Sequence, residues 1–251
     1  MPYFDSHGVS IHYEDHGEGA PVTLVHGFGT DARTDWLDGG LLRFLAGRYR
    51  VIAPDARGHG RSDKPHAREH YGMRNMCGDI VRLLDHLAIR RTLLVGYSMG
   101  SRICLELLYE HSEHFRAAVL GGFGANGAMS IPGQRDRIAA ALLADDPATI
   151  ADDLPRRFRR GVESAGNDLK ALAACMGAEE GFRDLSTLPR IRIPVLFLVG
   201  SRDRLVGDPH AMSAFFEDSR VVRIDGSDHV SSPTDERFHQ AIGDFFAHAP
   251  A

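Results

Sequence analysis

The stretch LLVGYSMGSRICLELL, Leu93 to Leu108, begins as a strand and ends as a helix, and the change falls on a serine. Leu93, Leu94 and Val95 form a short apolar run, whereas Ile103, Leu107 and Leu108 recur at helical spacing. Between them, Gly96-Tyr97-Ser98-Met99-Gly100 sets a glycine two residues to either side of the serine. A β-carbon at either flank would collide with the neighbouring strand or helix, so these positions call for glycine. Gly-x-Ser-x-Gly at such a junction strains the serine and lifts its hydroxyl above the end of a sheet. The alternative is an ordinary tight corner, and the rest of the chain decides between them by whether it supplies partners.

Short apolar runs alternate with helical patterns along the sequence. YFDSHG and VSIHYED read as an N-terminal hairpin. PVTLVHG, YRVIAPD, TLLVGYS, AAVLGG, PVLFLVG and RVVRID follow, most of them runs of four to six residues ending in Gly or Asp, as expected of strands buried on both faces. From Met73 to Leu87, residues Met76, Ile80, Leu83, Leu84 and Leu87 fall on one helical face. The alternation predicts an α/β fold, a mainly parallel central sheet with helices on both faces. From about Gly124 to Pro189 no strand is evident. RDRIAAALLADDPATIADDLPRRFRR and NDLKALAACMGAEEGF look helical there, interrupted by Pro147, Pro155 and several glycines. The expected organisation is a core of residues 1–123 and 190–251, with 124–189 inserted as a small helical cap.

Composition narrows the function classes. With 251 residues the chain can bury a sizeable core without staples. A net charge of -5 disfavours nucleic acid and anionic membrane as partners. Three cysteines without CxxC spacing argue against a disulfide scaffold or a thiolate metal site. MPYFDSHGVSIHYEDHG lacks a basic segment followed by an apolar run, so a cytoplasmic protein is expected. A small-molecule substrate is the expected partner, and a homodimer is left open.

A serine hydroxyl becomes nucleophilic when a histidine accepts its proton and a carboxylate orients that histidine. Of fourteen histidines, His229 follows RVVRID through the loop GSDH and precedes a last helical segment. It therefore belongs at a strand's carboxyl end, on the same edge as Ser98. His86, His111, His114, His210 and His239 lie in or at the ends of helical patterns. In PVLFLVGSRDRLVGDP, Asp203 comes a few residues after the strand, giving the chain order Ser98, Asp203, His229. Asp208 competes, but GDPHAMSAFF looks like a capped helix start. Asp225 and Asp228 are close to His229 along the chain. LGGFGANG, at the preceding strand end, contains no acid.

Acyl transfer also needs donors for an oxyanion. The amide of Met99 is one candidate; the amide of Phe28, in the loop His26-Gly27-Phe28-Gly29, is the other. PDARGHGRSDKP reads as structural, with Asp55 and Arg57 bonding neighbouring loops; a substrate contact for Arg57 or His59 is the sharper reading. In the cap, LPRRFRR reads as a solvated face, with steering of an anionic substrate as the alternative. Phe123, Met129 and Phe158, together with Leu172 and Met176, either line an acyl pocket or pack the cap itself. Trp36 and Cys104 read as core.

Taken together, the HG-x-G loop, the D-x-R-G-x-G-x-S loop, G-Y-S-M-G, G-x-x-D and the late histidine resemble the α/β-hydrolase superfamily. The likeness runs from Tyr3 to Phe123 and from Ile191 to the end, and leaves out the cap. It implies Ser98 as nucleophile, His229 as base, Asp203 as acid, an oxyanion hole from Phe28 and Met99, and neither cofactor nor metal. Relatives with aspartate at the elbow cleave carbon–halogen bonds or epoxides, and Ser98 points away from those chemistries. Asp228, where glycine is frequent, is a departure. The expected activity is hydrolysis of a small ester, thioester or lactone. The alternatives are carbon–carbon bond hydrolysis, cofactor-free perhydrolysis, or ligand binding with little turnover.

Overall fold

The structure, a computed structural model, describes residues 2–125, 133–178 and 191–250. Its strands are β1 (Tyr3–Asp5), β2 (Ser10–His16), β3 (Ala20–Val25), β4 (Tyr49–Pro54), β5 (Thr92–Tyr97), β6 (Phe115–Gly121), β7 (Val195–Gly200) and β8 (Ser219–Ile224). They form one sheet in the order β1-β2-β4-β3-β5-β6-β7-β8. The pairs β1–β2 and β2–β4 are antiparallel, and the other pairs are parallel. The alternation of strand and helix in the sequence thus becomes the mainly parallel sheet it predicts.

Strand periodicity sorts the core into two layers. Within β5, Leu93, Val95 and Tyr97 pack with Trp36, α1 (Leu41–Ala46) and α8 (Glu236–Ala247). Leu94 points the other way, toward a layer built from α2 (Met73–His86) and α3 (Met99–His111). β5 and β7 are buried along their whole length. β8 differs from the expectation of burial on both faces: it has a neighbour on one side only, and Arg220, Val222 and Arg223 are exposed.

The chain goes from β3 to β4 on one side, then crosses to β5 on the other side of β3. The loops leaving β3 and β5 therefore diverge at a topological switch point, where open α/β sheets form their ligand crevice.

Three described helices lie between β6 and β7: α4 (Gln134–Leu143), α5 (Asp153–Ser164) and α6 (Leu169–Met176). They share a cluster of their own around Ile138, Leu142, Val162 and Leu172. Pro155 does not interrupt α5, because it falls in the first turn, where no amide is needed for the helical ladder. The LPRRFRR segment is not uniformly solvated either. Arg159 is buried, donating to the carbonyls of Ala141, Leu142 and Ala144 at the end of α4 and pairing with Glu163. The last carbonyls of a helix lack the usual amide four residues on; here Arg159 supplies donors, and the Ala144 amide also donates to Ala141 O at 3.3 Å. Among the described residues, no helix is long and apolar enough to cross a membrane.

The segment after β4 knits the crevice loops together, as PDARGHGRSDKP suggested. Asp55 accepts from the amides of Ala32 and Arg61 and from His12 Nδ1, at 2.8 to 2.9 Å. Arg57 makes two bonds to buried Asp79, of 2.7 and 2.6 Å, and Asp79 also accepts from Ser6 and Arg82. Removing one member of a buried ion pair strands the other, at a cost of about 3–5 kcal/mol. Asp79→Ala is expected to lose roughly that much stability in urea denaturation; a loss within experimental error would contradict this account of the network.

Candidate active site

Ser98 sits between the last residue of β5 and the first of α3, with φ 52° and ψ −111°. A non-glycine residue in that region costs on the order of 1–3 kcal/mol and persists only when its surroundings hold it. The surroundings do so. A β-carbon on Gly96 would lie 2.6 Å from the backbone of Gly100, and one on Gly100 would lie 2.0 Å from the Val25 carbonyl oxygen. The Ser98 amide donates to Gly121 O at 2.9 Å, and Ser101 Oγ donates to the same oxygen at 2.7 Å. The sharp turn is the consequence of packing α3 directly against the ends of β3 and β5.

His229 Nε2 lies 3.0 Å from Ser98 Oγ, and its Nδ1 lies 2.7 Å from Asp203 Oδ2. A carboxylate accepts, so Asp203 places the imidazole proton on Nδ1 and leaves the Nε2 lone pair to receive the Ser98 hydroxyl proton. The Asp203 side chain is fully buried, and its Oδ1 accepts from the Leu205 amide at 3.0 Å. The other candidate acids are engaged elsewhere. Asp208 caps α7 (Pro209–Ser213) through the His210 amide. Asp228 accepts from the amides of Val230 and Ser231 and from Ser231 Oγ, and these bonds hold its carboxyl below its ordinary range. The residue preceding His229 is thus the anchor of a turn.

Phe28, in the loop leaving β3, and Met99, the first residue of α3, border the same space as Ser98, and neither backbone amide donates to an acceptor among the described residues. The direction of the Phe28 amide follows from its neighbours. Ala56 N donates to His26 Nε2 at 2.9 Å, which leaves the imidazole proton on Nδ1. That proton goes to Gly27 O at 2.7 Å, and Thr30 Oγ1 lies 3.0 Å from the same oxygen. In a trans peptide the N–H points opposite to the C=O, so clamping Gly27 O turns the Phe28 N–H the other way. Asp35 accepts from the Gly27 amide and from Thr30 Oγ1, and burial pushes its carboxyl up.

Two contributors carry no sequence signal. Tyr97 donates its hydroxyl to the His229 carbonyl at 2.6 Å. Burial first, and then the charge of Asp203, hold its phenol well above the ordinary range, so it stays a donor. Asn167, from the inserted segment, donates to Gly29 O at 2.9 Å. Both depend on residues far apart in the chain, which no local pattern reveals.

A cavity of about 240 Å³ opens in front of Ser98 and His229. Phe28, Met99, Phe123, Phe158 and Met176 line it, whereas Leu172 belongs to the packing of the inserted helices. Met129 lies outside the described residues. Trp36 and Cys104 are fully buried in the core. Among the described residues, no group of three or more His, Cys, Asp or Glu is placed to hold a metal ion.

His59 is buried behind Phe28, with ring centroids 5.6 Å apart, and its Nδ1 donates to Arg57 O. Burial, assisted by neighbouring His26, pushes its imidazole down to about 3 from 6.5. The unfolded chain therefore binds the proton more readily than the folded one. Stability conferred by the neutral ring is complete above pH 6.5 and is lost as the pH falls toward about 3, at up to about 1.4 kcal/mol per pH unit. The His59 ring resonances in NMR are expected to remain those of neutral imidazole at pH 5. Titration near 6.5 would contradict the assigned burial.

Comparison with known proteins agrees with this architecture. Residues 20–164 match the alpha/beta hydrolase fold family, more than half of the chain. A putative non-heme chloroperoxidase of Synechocystis sp. is 28% identical over 82% of this chain and 84% of its own. The enol-lactonase of Burkholderia xenovorans superposes with a TM-score of 0.84 over 98% of this chain and 100% of its own, at 22% identity. A thermophilic esterase from Thermogutta terrifontis gives 0.76 over 98% and 96%, at 27% identity. The chain belongs to the alpha/beta hydrolase fold family.

Proposed function

We propose that this protein is a serine hydrolase of small carboxylic esters, thioesters or lactones. The observation that carries the reading is the unbroken line from Ser98 Oγ through His229 to Asp203, opening on a cavity beside two uncommitted amides. In this reading Ser98 Oγ attacks the substrate carbonyl carbon as its proton passes to His229 Nε2. The amides of Phe28 and Met99 receive the oxyanion, and the buried Asp203 carboxylate steadies the imidazolium. His229 then gives its proton to the leaving oxygen or sulfur, and the acyl group stays on Ser98. Water, deprotonated by His229, attacks that ester and releases the acid.

The helices inserted between β6 and β7 serve as a cap. Phe158 and Met176 reach the cavity from them, and Asn167 ties them to the loop that carries Phe28. The likeness to a putative chloroperoxidase supports a second reading, in which hydrogen peroxide replaces water in the second step and yields a peracid. A solved esterase among the structural relatives supports the first.

Hydrolysis of p-nitrophenyl esters of increasing acyl length tests the proposal. Folded wild-type protein is expected to turn over the shorter esters, and Ser98→Ala to lose at least about a thousandfold in kcat/KM. Equal rates for the two proteins would overturn it.

A further inference from the structure

The proposed reaction needs two distances held at once, Asp203 to His229 and His229 to Ser98, and different parts of the molecule hold them. His229 sits on a surface loop between β8 and α8, with exposed Asp228 before it and exposed Val230 after it. Hydrogen bonds join this loop to the chain leaving β7, which leads to Asp203. The Arg202 amide donates to Ser227 O at 2.9 Å, and the Gly226 amide donates to Ser201 Oγ at 2.8 Å. Gly200 lets the two segments close, since a β-carbon there would lie 2.2 Å from Ser227 O. Asp228 and Ser231 then bond to one another within the loop. These contacts fix the base relative to its acid and leave its distance from the nucleophile to other groups.

Among the described residues, the hydrogen bonds that reach this loop from β5 converge on one group, the Tyr97 hydroxyl. It donates to His229 O at 2.6 Å, and Ser232 Oγ, itself donating to Asp228 O, stands beside it. Tyr97 immediately precedes Ser98. One rigid ring therefore joins the main chain of the base to the main chain of the nucleophile.

The ring is buried in a slot shaped for it. β-carbons on Gly121 and Gly122 would lie 2.9 and 2.7 Å from its atoms, and Phe238 meets it edge-on, with centroids 5.9 Å apart. The paired glycines of LGGFG thus clear space for Tyr97 at the end of β6. Phenylalanine would satisfy that packing equally well; the hydroxyl is the part that reaches His229.

We propose that Tyr97 is a positioning residue, whose hydroxyl holds the His229 main chain so that Nε2 stays within reach of Ser98 Oγ through both half-reactions. This rests on the reading of Ser98 as the nucleophile of a hydrolase. In that reading His229 takes the Ser98 proton, gives it to the leaving group, and later takes one from water. Each transfer happens at an atom on or beside the carbon bonded to Oγ. A displacement of about 1 Å can cost on the order of a hundredfold in rate. A base that drifts from Oγ slows acylation and deacylation alike, so kcat falls and KM is kept.

Tyr97→Phe keeps the ring and removes the bond. Its kinetics with p-nitrophenyl butyrate are expressed per active site, counted by labelling to completion with diisopropyl fluorophosphate. The variant is expected to lose about tenfold in kcat with KM within about twofold, and its Ser98 to react with the fluorophosphate about tenfold more slowly. A merely structural role would lower the melting temperature or the number of labelled sites and leave kcat per site at the wild-type value. That result, or loss of the fold in Tyr97→Phe, would overturn the proposal. If Ser98→Ala abolishes turnover and Tyr97→Phe matches wild type, the positioning role falls and the hydrolase reading stands. If wild type shows no Ser98-dependent turnover, the hydrolase reading falls, and the labelling rate decides the role of Tyr97. Slower labelling of Ser98 in Tyr97→Phe would uphold it, and equal or absent labelling would overturn it.

Discussion

The close approach of α3 to β3 at Gly100 is the constraint on which the site depends. A side chain there would stand 2.0 Å from the Val25 carbonyl oxygen, so the helix can start this near the strand only with glycine at that position. Starting there forces the chain to turn within one residue, and that residue is Ser98, at positive φ. The same approach sets the first amide of α3 beside the loop leaving β3. The sharp turn at Ser98 and the nearness of the start of α3 to the loop leaving β3 thus follow from one packing contact.

The rest of the molecule holds that contact in place. His26, Thr30 and Asp35 orient the loop carrying Phe28, while Asp55 ties the loop to the segment after β4. Tyr97 links the end of β5 to the His229 loop across 132 positions of sequence. Strain at Ser98 is sustained by this surrounding network of buried bonds, as strained residues at functional positions require.

Much of this was legible in the sequence, for identifiable reasons. Strand and helix periodicities differ, so their alternation exposed the parallel sheet. Glycines forced by steric contact flagged the turn at Ser98. Asp203 and His229 stood out because both follow strand ends, and the structure brings their side chains into one hydrogen-bonded line with Ser98. What escaped were contacts made between distant segments. The Tyr97 bond to His229 and the Asn167 bond to Gly29 leave no periodic trace. Arg159 looked like one charge among several in LPRRFRR, yet it is buried against the end of α4 because those carbonyls needed donors. Pro155 looked like a helix breaker and sits where a helix tolerates proline.

The central claim is that Ser98 becomes covalently acylated during turnover. Rapid mixing of the protein with p-nitrophenyl butyrate, acid quenching and peptide mass spectrometry address it directly. The account predicts a burst of p-nitrophenol matched by a butyryl group on the peptide bearing Ser98. Turnover without that adduct, or with the acyl group on another residue, would contradict it.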